Sequence, residues 1–135
     1  MAVERYLPDT NATIFAISNP NRLNKNIREY VNYGLGFVSI ISMQEIGVLI
    51  TLGKIKIRSI KNLKDIIKFT QSTGLEILPY ETRDLNAFYD LPYLPENKDP
   101  FDRAIVAHAI SQHCTLISSD SKLEKYRPIL KLLSI

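Results

Sequence analysis

The chain has 135 residues, 45% hydrophobic and 23% charged, the balance of one globular domain rather than of a disordered or fibrous chain. Seventeen basic residues against fourteen acidic give a net charge of +3 and a pI near 9.0, too mild to announce nucleic-acid binding by itself. The lone cysteine, Cys114, excludes an internal disulfide, no basic-then-apolar leader opens the chain, and a cytoplasmic location is expected. A membrane span over 34–53 is rejected, because Gln44 and Glu45 sit at its centre, where a carboxylate is costly.

In chain order, Arg5 to Pro8 reads as a short strand, and Asp9-Thr10-Asn11 as a cap-like cluster opening a helix near Ala12 to Ile17. Asn19-Pro20 restarts helix, with Leu23, Ile27, Tyr30 and Val31 on one face and Gly34 as a stop. Phe37 to Ile41 reads as a buried strand. Ser42 then starts a helix through a Ser42–Glu45 capping box, and Gly53 ends it. Leu63, Ile66, Ile67 and Thr70 form the next helical face, stopped by Gly74. Leu75 to Pro79 is a strand and Glu81 to Asp90 a helix. Pro92 and Pro95 make the following stretch irregular, and Asp99-Pro100 predicts a helix to about His113, since Asp caps free amides and Pro at the first helical position loses nothing. Cys114 to Ser118 is a strand, Ser121 to Glu124 a second capping box opening a short helix, and Pro128 to Leu133 an edge strand. No repeat or linker divides the chain, so residues 1–135 form one unit. Strands separated by helices throughout predict a parallel sheet with helices on both faces.

Ligands of such sheets sit at the carboxyl ends of the strands. Asp9, Glu45, Asp102 and Asp120 all map to strand exits or helix entries. Each alone can be a cap or a dipole partner. Together they crowd one cleft, and like charges that close raise one another's pKa unless a cation neutralises them. Oxygen donors without His or Cys favour Mg²⁺ or Mn²⁺ over zinc, and such an ion can activate water toward a phosphodiester. Charge is unevenly spread: Lys54, Lys56, Arg58, Lys61, Lys64 and Lys68 against Asp65 give a local +5, and seven acids against two bases over 76–102 give −5. An acid-lined cleft beside a basic flank suits phosphodiester hydrolysis of a polyanion, and Lys54, Lys56 and Arg58, alternating with Ile55 and Ile57, are candidate phosphate contacts.

Leu7-Pro8-Asp9-Thr10-Asn11, Ser39 to Ile46 with Leu52-Gly53-Lys54, Asp99-Pro100-Phe101-Asp102-Arg103 with Ala104 to Ala109, and Thr115 to Asp120 together resemble PIN-domain proteins of the VapC toxin type. The resemblance spans nearly the whole chain, and Asp-Pro-Phe-Asp-Arg is its most specific piece. It implies a three-layer α/β/α PIN-like fold and a Mg²⁺- or Mn²⁺-dependent endoribonuclease. It also implies a toxin neutralised by an antitoxin protein, and assembly as a homodimer. The family's four acidic catalytic and metal positions fall on Asp9, Glu45, Asp102 and Asp120. Asp99 then caps a helix with an outer role at the metal, Ser118 is the small hydroxyl residue before the last acid, and Thr10 orients Asp9 or a water. Pro8 stands where the family carries an aliphatic residue, and because Pro cannot donate to a ladder it is expected just past the pairing or displacing Asp9.

His108 and His113 lack a partner at metal-ligand spacing and read as surface or helix-end residues. Cys114 opens an apolar strand and reads as core. Tyr30, Tyr33, Tyr80, Tyr89 and Tyr93 read as half-buried residues at layer edges. Two rival functions differ in class from a nuclease. A silent RNA- or protein-binding module would have no use for a strained carboxylate cluster, and a small-ligand domain would need the Gly-x-Gly-x-x-Gly turn or phosphate loop that is missing after the first strand.

Overall fold

The structure, a computed structural model, describes residues 4–18, 35–57, 60 and 62–135. Five strands, β1 (Arg5–Pro8), β2 (Leu35–Ser39), β3 (Glu76–Leu78), β4 (Thr115–Ser118) and β5 (Leu132–Ser134), form one sheet in the order β3-β2-β1-β4-β5, and every pairing is parallel. Between them run α1 (Thr10–Ser18), α2 (Ile40–Thr51), α3 (Asp65–Ser72), α4 (Thr82–Asp90), α5 (Pro100–Ser111) and a 3₁₀ turn at Ser121–Tyr126. The helix expected over Asn19 to Gly34 lies outside the described residues. The stretch 35–53 divides into a strand and a helix, and no described helix is long and apolar enough to cross a membrane.

Side chains alternate across a strand, and here both alternating sets are apolar, as a sheet covered on two faces requires. Leu7, Phe37, Leu78, Leu116 and Leu132 pack with Ile105, Val106 and Ala109 of α5. Their chain neighbours Val38 and Ile77 pack with Ile46 of α2 and Ile66 of α3, while Tyr6 and Ile117 pack with Ala12 of α1. The architecture is the three-layer α/β/α arrangement expected from the alternation of strands and helices. Cys114 is buried in the first cluster, as its apolar context implied. Leu116 is fully buried at the centre of that layer, and Leu116→Ala is expected to lower stability by about 3 kcal/mol in urea unfolding, from lost transfer energy plus the cavity left behind.

Several boundaries differ from the sequence reading. β2 ends at Ser39, not Ile41, because Ser39, still extended (φ −68°, ψ 138°), caps α2 by accepting the Ile41 N–H on its Oγ at 3.1 Å, and the backbone is helical from Ile40. The apolar run continues across that corner, so hydropathy alone could not place it. Ser42 is therefore inside α2 and buried, Ser42–Glu45 is not a capping box, and Glu45 sits in the second turn. Ser121–Glu124 is not one either: Asp120 is the cap, accepting the Lys122 N–H at 2.9 Å, and Glu124 pairs with Arg127. The final strand begins only at Leu132, four residues into the predicted run. α2 and α3 end before Gly53 and Gly74, whose φ values of 71° and 91° are the left-handed conformation that closes a helix.

Pro8 is part of the central strand and pairs with Ile117 of β4. The Asp9 N–H points to β4, bonding Ile117 O at 2.9 Å, so the missing N–H of Pro8 faces β2. There the β1–β2 ladder has already stopped at Tyr6 and Gly36, and Pro8 breaks no bond.

Candidate acidic active site

The strand order reverses at β1: the chain steps outward through β2 and β3, then returns to the other side of β1 for β4 and β5. Such a switch point leaves a crevice beyond the strands' carboxyl ends. Asp9 follows β1 there and caps α1, its Oδ1 accepting the Ala12 N–H at 2.8 Å. Across the crevice, Ser118 at the end of β4 donates its hydroxyl to Asp9 Oδ2 at 2.5 Å and accepts the Asp120 N–H at 3.0 Å, so one serine sets both the first and last acids.

Glu45 enters from α2. Thr10, buried beside Asp9, donates its hydroxyl to Glu45 Oε1 and lies 3.2 Å from Ser42 Oγ, so it orients Glu45 rather than Asp9. The third wall is the start of α5. Asp99 caps it, its Oδ1 taking the N–H groups of Phe101 (2.8 Å) and Asp102 (3.1 Å), which leaves Oδ2 for another partner. Glu45, Asp99 and Asp102 each bring a carboxylate oxygen to within 4.8 Å of the others. Asp99, expected in an outer role, stands in this cluster itself.

Electrostatics ties all five acids together. Burial, then the charges of Asp99, Glu45, Asp120 and Asp9, push the Asp102 carboxyl up to about 7. Burial also raises Asp9 against the opposing bonds from Ser118 and the Ala12 N–H, and Asp120 adds to the rise. Glu45 is raised by burial, resisted by the Thr10 bond and reinforced by Asp99 and Asp9. A half-buried set of hard oxygen donors that hold their negative charge at such cost is matched to a small divalent cation. Glu45, Asp99 and Asp102 could hold it directly, with Asp9 and Asp120 across the crevice.

The basic candidates lie apart from the acids in sequence. Lys54 and Lys56 are exposed on the connection after α2, alternating with the inward Ile55 and Ile57, and Arg58 lies outside the described residues. Tyr89 and Tyr93 are not half-buried but 71% and 67% exposed, while Tyr30 and Tyr33 lie outside the described residues.

His108 corrects the sequence reading outright. It is 0% exposed, whereas His113 is exposed at the end of α5 in a left-handed turn (φ 55°). His108 Nε2 lies 3.1 Å from the Pro79 carbonyl, Nδ1 lies 2.8 Å from Ser39 Oγ, and Tyr80 packs edge-on at 5.0 Å. A carbonyl only accepts, so Nε2 carries the proton and Nδ1 accepts from the Ser39 hydroxyl. Burial holds the imidazole below its ordinary pKa despite Asp84, 3.8 Å from Nε2. Asp84 is buried too, satisfied by the Glu81 N–H (2.7 Å) and by Gln112 Nε2 (3.0 Å). The one sequence signal was position: His108 lies within Ile105-Val106-Ala107-His108-Ala109, an apolar run that a surface histidine would interrupt.

Comparison with known proteins agrees with this architecture. A family model described as the PIN domain matches residues 6–127. VapBC2 from Rickettsia felis, solved bound to a promoter DNA fragment, superposes with a TM-score of 0.68 at 19% identity, covering 96% of this chain and 98% of that one. DNA-bound VapBC from Salmonella typhimurium gives 0.65 at 22% identity (97% and 98% covered). VapBC-1 from nontypeable Haemophilus influenzae gives 0.65 at 18% (96% and 97%). No curated protein sequence matches the chain.

Proposed function

The chain belongs to the PIN domain family, and on that premise we propose that it is a Mg²⁺- or Mn²⁺-dependent endoribonuclease, the VapC-type toxin of a toxin–antitoxin pair. One observation carries the reading: five carboxylates converge on the sheet's switch point, three of them, Glu45, Asp99 and Asp102, with oxygens within 4.8 Å of one another, and burial together with the other four charges pushes Asp102 up to about 7. A fold that keeps such a cluster without using it would gain stability by losing it. Asp9, Glu45, Asp102 and Asp120 are the catalytic and metal-holding residues in this reading, joined by Asp99. Thr10 holds Glu45 in place and Ser118 holds Asp9. When bound, the cation lowers the pKa of water and offsets charge on the phosphodiester.

In the same reading Lys54, Lys56 and Arg58 contact the RNA backbone. Reversing all three charges is expected to weaken RNA binding and to flatten the slope of log affinity against log salt by about 0.7 for each phosphate no longer neutralised, read by fluorescence anisotropy. An unchanged slope removes them from the substrate path. The antitoxin partner is supported by the VapBC likenesses and by an apolar groove along α2 and α3, lined by Ile40, Met43, Gly47, Leu63 and Ile67. The protein acts in the cytoplasm as a homodimer, and light scattering of the purified chain that showed only monomer across the micromolar range would contradict the assembly.

The deciding experiment incubates partner-free protein with total RNA in Mg²⁺ or Mn²⁺, in EDTA, and as Asp9→Asn. Cutting that needs the cation and disappears in the variant is the expected result. No cutting, with no cation-dependent rise in melting temperature, would leave a binding module.

A further inference from the structure

Two helices carry acids that come closest, and beside their apolar packing they meet through two polar contacts. At one point Glu45 of α2 faces Asp102 of α5. At the other, Ser39, the cap of α2, meets His108 of α5 at 2.8 Å. Glu45 lies six residues after Ser39, and His108 six residues after Asp102, so each helix spans about 9 Å between the two contacts. The helices therefore run past each other in opposite senses, repelling at one contact and hydrogen-bonded at the other.

The bonded contact is built to stay put. Ser39 and His108 are both 0% exposed. Ser39 Oγ accepts the Ile41 N–H, which orients its own hydroxyl toward Nδ1. The opposite ring nitrogen is held by the Pro79 carbonyl, and behind it Asp84 is fixed by the Glu81 N–H and by Gln112, one turn further along α5. The ends of β2 and β3 and the helices α2, α4 and α5 thus meet on one imidazole.

We propose that His108 is a positioning residue for the acidic site: its Nδ1 bond to Ser39 sets the spacing of α2 and α5, and so the distance between the Glu45 and Asp102 carboxylates that receive the cation. Without that bond the like charges push the two helices apart, and the oxygen cage opens. The proposal rests on the reading of the acids as a divalent-cation site.

The test is Mn²⁺ affinity by titration calorimetry, with urea unfolding in EDTA run alongside. Ser39→Ala removes the bond from one side. His108→Asn and His108→Gln separate the two ring nitrogens, because the Asn amide falls near the Nδ1 position and the longer Gln amide near Nε2. Ser39→Ala and His108→Gln are expected to bind Mn²⁺ about tenfold more weakly, the scale of losing an outer partner of a metal site, while His108→Asn recovers most of the affinity. Leu130→Ala, buried in the segment before β5 and taking no part in the Ser39–His108 contact, supplies a destabilised control and is expected to keep wild-type affinity. Equal Mn²⁺ binding by wild type, Ser39→Ala and His108→Gln overturns the proposal. So does an affinity loss that follows the urea midpoint across all four variants, Leu130→Ala included, since that is a purely structural role. A wild-type chain that takes up no Mn²⁺ removes the cation reading itself, and the proposal with it.

Discussion

Asp102→Asn is expected to abolish cation-dependent RNA cleavage while raising the melting temperature of the cation-free protein. The activity loss should reach at least about 10²- to 10³-fold, the scale on which one preorganised charged or dipolar group contributes to a transition state. The gain in stability has a separate cause. The Asp102 carboxyl sits at about 7 in the fold against an ordinary 3.8, so holding it ionised at neutral pH costs the folded state up to a few kcal/mol, reduced by its partial solvation. Asn carries no charge and escapes that cost. Thermal unfolding in EDTA at pH 7.5, beside a cleavage assay, reads both effects. Full activity in the variant would refute the assignment of Asp102, and a lower melting temperature would show that the repulsion is not stored where the geometry puts it.

The second large effect is a change in how stability responds to pH. Between about pH 4 and 7 the cation-free fold binds more protons than the unfolded chain, because Asp102 is protonated in one and ionised in the other. Stability then falls as pH rises through that window and levels off above 7; Asp9 and Glu45, also raised, act in the same direction, and the three acids together outweigh the buried His108, whose pKa is held below its ordinary 6.5 and which acts the opposite way. A divalent cation reverses the trend, since it must displace those protons to bind. At a Mn²⁺ concentration 100 times its dissociation constant the fold gains about 2.7 kcal/mol, or about 10 °C in a domain of this size. That shift should be full at pH 7.5 and nearly gone at pH 5. A pH-independent shift, or stability that rises from pH 4 to 7 in EDTA, would contradict the shared electrostatics of the cluster.

Asp9 and Asp99 show how much of the site could be read before folding. Both are short acids directly before helical periodicity, Asp99 with Pro100 behind it, and both cap helices. Strand exits in a parallel sheet lie on one edge whatever the strand order, so the convergence of Asp9, Glu45 and Asp120 needed only the alternation of elements, while Asp102 reaches the same edge because α5, the second of two successive helices, must run back to the start of β4. Which of them approach most closely did not follow. Asp99 enters the tightest group because α5 begins beside α2, and Thr10 turns to Glu45 because α1 and α2 pack together; both are facts of helix packing with no trace in local spacing.

Element type and the two-faced burial of the sheet were thus determined by the sequence itself, through apolar periodicity, helix caps, and glycines at positive φ that act over a few residues. Ser39 and His108, 69 positions apart, were decided only by tertiary structure. A serine at the end of an apolar run and a histidine in an apolar helix gain their meaning when β2 and α5 are brought together. Burial then removes the water each would otherwise bond, and the two must bond each other.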